Sequence, residues 1–126
     1  MNIDLNNPNC DIEKLLTDFT AYIIINFQYK DPSTGGAQFS ARMVGSWIRT
    51  RTDGHFHFSD MGLYGDIDPR FKEDAMRLIK AWEAVNLVDD TGEMTNGYRV
   101  FCIPYSLVIK TKLAMEKAIK EQIKPD

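Results

Sequence analysis

Apolar positions in the first part of the chain recur at three- and four-residue spacing: Ile12, Leu15, Leu16, Phe19, Tyr22, Ile23 and Phe27. This is the period of a helix with one buried face. Asp11 stands where a side-chain oxygen can cap it, so a helix is predicted over 11–29, after a loose, Asn-rich lead-in at 1–9. The run Ile23, Ile24, Ile25 equally suits a strand, because β-branched side chains favour extended backbone. In either form it belongs to the core. The stretch 31–36 combines a proline with two glycines and reads as a loop. Ser40 then caps a second helix, in which Val44, Trp47 and Ile48 share a face and which ends by Thr52. After a turn at Asp53 and Gly54, the alternation His55, Phe56, His57, Phe58 predicts a short strand with its phenylalanines inward.

The signal is denser further along. Ser59 caps a very short helix over 60–64, Gly65 stops it, and a tight turn leads to Asp68 and Pro69, an N-cap and first-turn pair. From Pro69 to Val85, at about 100° per residue, Phe71, Ala75, Leu78, Ile79, Trp82 and Val85 gather on one side of a helix. Arg70, Glu73, Arg77 and Lys80 gather on the other. Asn86 suits the residue just past the helix end, Leu87 and Val88 begin a strand, and Tyr98 to Ile103 return antiparallel to it. The intervening 89–97 holds two glycines and an Asn-Gly pair, so a hairpin with a long loop is predicted. Pro104 ends it, and a last helix over 105–124 aligns Val108, Met115, Ile119 and Ile123 on one stripe. Trp47 and Trp82 each fall on the apolar stripe of their helix and are expected in the core.

Composition narrows the chemistry. A chain of 126 residues, 44% hydrophobic and 26% charged, is expected to form one α+β, mostly helical domain over 1–126. Cys10 and Cys102 lack metal-knuckle or redox spacing and read as buried free thiols. His55 and His57 point to one face of their strand, but nothing at suitable spacing completes a metal site, so neither metal nor cofactor is expected. Gly35 and Gly36 lack the spacing and the following lysine of a phosphate loop. No Ser, Cys or His catalytic set assembles, and an enzyme is not expected. No apolar run approaches a bilayer span, and a cytoplasmic location without membrane contact follows as the expectation. Net charge is −3, which opposes indiscriminate coating of nucleic acid but leaves room for a local basic face.

The order helix, short strand, short helix, tight turn, long helix, β-hairpin resembles the winged helix-turn-helix superfamily, with residues 40–104 as the module and 11–29 and 105–124 as flanking helices. The first helix of the motif then falls at 40–51, the edge strand at 55–58, the helix before the turn at 59–64, the recognition helix at 69–85 and the wing at 87–103. Arg77, Leu78, Ile79, Trp82 and Val85, followed by Leu87, Val88, Gly92, Gly97, Tyr98 and Val100, carry the most specific part of the likeness. Asn86 stands where family members usually have glycine.

The resemblance implies a double-stranded DNA-binding protein, a repressor-like transcriptional regulator or accessory DNA-binding factor of a bacterium or mobile element. Arg70, Lys72, Arg77 and Lys80 would face bases and phosphates. Glu73 would accept from cytosine or pair with Arg77. Thr95, Asn96 and Arg99 would make the wing contacts. Asp89, Asp90 and Glu93 on the same wing oppose phosphate, and they keep a second reading open: a winged-helix protein-interaction module, a subunit or adaptor in a larger assembly. The stripe Val108, Met115, Ile119 and Ile123 either faces a second copy, so that two recognition helices meet successive major grooves, or packs within its own chain.

Overall fold

The computed structural model describes residues 10–26, 35–53 and 69–123. Within them the chain is α+β, with four helices and a three-stranded antiparallel sheet: α1 (Ile12–Asn26), β1 (Ala37–Phe39), α2 (Ala41–Asp53), α3 (Pro69–Ala84), β2 (Asp89–Thr95), β3 (Tyr98–Ile103) and α4 (Tyr105–Ile123). The strand expected at 55–58, the short helix at 60–64 and the two histidines lie outside the described residues.

Local chemistry accounts for several boundaries. Asp11 caps α1 as expected, its Oδ1 accepting from the Lys14 amide at 3.1 Å. The isoleucine run stays helical through Ile25. Thr20, fully buried in this helix, donates its hydroxyl to the Leu16 carbonyl at 2.7 Å, which satisfies a polar group without leaving the helix. Asn86 closes α3 in left-handed geometry, at φ 61. Its amide donates to Glu83 and the Leu87 amide donates to the Trp82 carbonyl, the paired bonds of a Schellman ending.

The sheet runs β1-β3-β2. Ala37 to Phe39 pair with Ile103 to Phe101, a strand that the periodicity did not announce. Three residues are too few for a readable alternation, and pairing with β3 is what makes them a strand. The hairpin also departs from expectation. Its loop is not long: β2 already begins at Asp89, and only Asn96 and Gly97 connect it to β3. Both have positive φ, 50 and 82, as a two-residue type I′ turn requires. The register shifts between Asp90 and Met94. There Gly92 takes φ 80, and the Thr91 hydroxyl reaches across to the Val100 carbonyl at 2.7 Å. The glycines that suggested a long loop serve a bulge and a tight turn.

One hydrophobic cluster takes side chains from every element except β2. Phe19 of α1 lies at its centre, with ring centroids 5.2 Å from Phe39, 5.6 Å from Trp47 and 5.8 Å from Trp82. Both tryptophans are buried, as their stripes predicted. The Trp82 indole N–H donates to the Ile12 carbonyl at 2.7 Å, pinning α3 to the first turn of α1. Val85, expected on the apolar side, is exposed instead, because α3 stops at Ala84 and the chain turns away. Cys10 and Cys102 are thiols outside any disulfide, as expected, but half-buried rather than buried.

The last helix divides along its length. Val108 and Thr111 are buried in the chain's own core, which removes Val108 from any surface between copies. From Lys112 to Gln122 every residue except the half-buried Met115 is exposed, Ile119 among them. At 1.5 Å per residue this is roughly 16 Å of helix beyond the core. The side chain of Ile123 lies outside the description. Among the described residues, no helix is long and apolar enough to cross a membrane.

Candidate nucleic-acid interface

α3 opens at Pro69, whose fixed φ and missing N–H suit the first helical position. Phe71, Ala75, Leu78, Ile79 and Trp82 form its buried stripe. The opposite side exposes Arg70, Glu73, Arg77 and Lys80, with Lys72 exposed at the flank of the stripe, so the helix divides as its sequence period predicts. Arg70 does not extend freely, because its guanidinium lies 5.0 Å from the centre of the Phe71 ring. That stacking holds the cation near the start of the helix.

The hairpin stands beside this face. Asn96 is exposed at its tip and Thr95 is half-buried. Arg99 is exposed but committed: it donates to Asp90 Oδ2 at 2.8 Å across the bulged pair of strands. The other Asp90 oxygen accepts from the Gly92 amide at 2.9 Å. Asp90 therefore both shapes the bulge and offsets the charge of Arg99 on the hairpin. Asp89 and Glu93 are exposed on the same strand.

Between α3 and the hairpin runs an open groove of about 500 Å³. It brings together Arg77 and Lys80 from the helix and Arg99 from β3, three of the residues singled out in the sequence. Arg70, Lys72, Glu73, Thr95 and Asn96 do not line it. The lining also takes in residues not expected to make contacts, among them Met76, Met94 and Tyr98. Met76 falls at the edge of the polar face of α3, and Met94 sits in a segment that reads as loop until the two-residue turn is recognised. The cross-strand pair Met94 and Arg99 follows from that turn alone.

Among the described residues, no three His, Cys, Asp or Glu side chains come together as a metal-holding cluster. Compared with family models, with curated proteins and with solved structures, the chain matches none.

Proposed function

We propose that this protein binds double-stranded DNA as a winged-helix regulator, with α3 as the reading helix and the β2–β3 hairpin as the wing. The observation that carries the reading is the exposed row Arg70, Arg77 and Lys80 on α3, with Lys72 at its flank, opposite a fully used core stripe and beside a tight hairpin. A helix of this kind fits the major groove, where arginine and lysine can meet guanine edges or phosphates. The element order supports the same reading in a different alignment from the sequence-based one. Taken as helix, strand, helix, reading helix and hairpin, α1 becomes the first helix of the motif and β1 the edge strand that joins the wing through β3.

The protein-interaction reading is favoured by a specific feature, the acids of β2 together with the neutralisation of Arg99 by Asp90. The exposed second half of α4, with Met115 and Ile119, is the surface we assign to a two-fold partner.

Selection from a random duplex library at low salt tests the DNA reading. A recovered motif is expected, with binding that weakens as salt rises because counterions are released from contacted phosphates. Replacing Arg77 or Lys80 by alanine is expected to lower affinity, by about 1–3 kcal/mol where the side chain reads a base. Failure to enrich any duplex overturns the proposal. Unchanged affinity in the Arg77→Ala, Lys80→Ala double variant removes α3 as the reader.

A further inference from the structure

The groove between α3 and the hairpin has a character that duplex DNA does not use. Its exposed apolar walls are methionines: Met76 is 52% exposed and Met94 58%. Tyr98 is half-buried beside them, and Phe101, almost wholly buried, lies beneath. These side chains come from two elements and line one concavity, whereas a singly exposed apolar residue would need no explanation. Methionine is unbranched and polarisable, and it suits surfaces that must adapt to a partner's side chains. Phosphate gains nothing from such a floor, and the neighbouring acids Asp89, Asp90 and Glu93 repel it.

The rim decides the sign of the partner. Arg77, Lys80 and Arg99 line the groove against a single acid, Glu83. Arg99 is partly offset by Asp90, which leaves a cationic edge on the helix side in a chain whose net charge is −3. We propose that this groove seats a segment of a protein partner carrying apolar anchor side chains flanked by Asp or Glu. The anchors fill the methionine-lined floor and the acids meet Arg77 and Lys80. A volume of about 500 Å³ falls within the range of sites that enclose drug-sized apolar groups, roughly 300–1,000 Å³, so a few anchor side chains fit and a folded domain does not. The inference does not require α3 to read DNA. It gives the protein-interaction reading a definite surface, and because Arg77 and Lys80 serve both faces, an occupied groove would compete with duplex binding.

The test selects peptides from a random displayed library against the full chain and follows the winners by NMR of the protein labelled at its methionine methyls. Enriched peptides are expected to combine large apolar residues with Asp and Glu. They should move the Met76 and Met94 methyl signals and leave that of the buried Met43 in place. Met76→Gln with Met94→Gln, both at exposed positions, should retain the wild-type melting temperature and weaken these peptides about tenfold or more, about 1.4 kcal/mol. The same variant keeps Arg70, Lys72, Arg77 and Lys80, so duplex binding should persist, which separates failure here from failure of the DNA reading. No enrichment, enrichment of basic peptides, or affinity that ignores the double substitution overturns the proposal. So does a duplex that shifts both methyls where no peptide does, because the groove then belongs to nucleic acid.

Discussion

Ser40 holds the N-cap position of α2, yet its hydroxyl is fully buried and has no hydrogen-bond partner among the described residues. Its backbone carbonyl instead accepts from the Met43 and Val44 amides. The serine is therefore in the place where a cap belongs without making the bond that gives a cap its value. The consequence is a sign. An ordinary serine cap replaced by alanine loses about 1 kcal/mol, whereas removing a buried, unpaired hydroxyl relieves a desolvation penalty of about 1–3 kcal/mol. Ser40→Ala is expected to leave stability unchanged or raise it, read from the midpoint of urea unfolding at constant slope. A clear loss would mean that the hydroxyl does cap the helix in solution. Trp82 presents the opposite case: a buried polar group with a good partner, the Ile12 carbonyl, in the middle of the aromatic cluster.

At the scale of the element, the hairpin is the part whose design is most open to experiment. Its acids, its bulge and its one arginine are coupled through Asp90, which bonds both Arg99 and the Gly92 amide. The ion pair is largely exposed, so it contributes at most about 1 kcal/mol to stability. Asp90→Asn keeps an oxygen for the Gly92 amide, frees Arg99 and removes a negative charge from the hairpin. It is expected to melt near the wild-type temperature, to bind duplex DNA more tightly at low salt and to show a steeper loss of affinity with salt. Equal salt slopes for variant and wild type would show that the hairpin stays away from phosphate, and would move weight to the protein-interaction reading.

Across the whole molecule, α4 joins two environments that one apolar stripe would not distinguish. Val108 is sealed in the core, Met115 is half-buried and Ile119 is exposed. Charging them separates the two. Val108→Asp is expected to unfold the protein, since a buried charge without a partner costs several kcal/mol. Met115→Glu with Ile119→Glu is expected to leave a folded chain. If the exposed half of the helix pairs with a second copy, that variant sediments as a monomer where the wild type is a dimer, and it binds a palindromic duplex more weakly. A wild-type protein that remains monomeric at micromolar concentration, with and without duplex, would leave the end of α4 to some other contact.

What was legible in the sequence was whatever depends on nearest neighbours along the chain. Asp11 caps its helix, Pro69 opens α3, Asn86 turns it off, and the stripe from Phe71 to Trp82 is buried while Arg70, Arg77 and Lys80 are not. Helix periodicity is a local property, and it places Arg70, Arg77 and Lys80 on the exposed side of α3. The tertiary structure decided what depends on pairing across the chain. Ala37 to Phe39 become a strand only because β3 supplies hydrogen-bond partners, and Asp89 to Thr95 become one only because a bulge and a two-residue turn bring them onto β3. The same long-range pairing carries Met94 and Arg99 to the side of Met76 and Lys80. Residues about twenty apart in sequence share a groove for a reason no local period contains: a strand's neighbours are chosen by the register of the sheet, and that register is set only when the whole core closes.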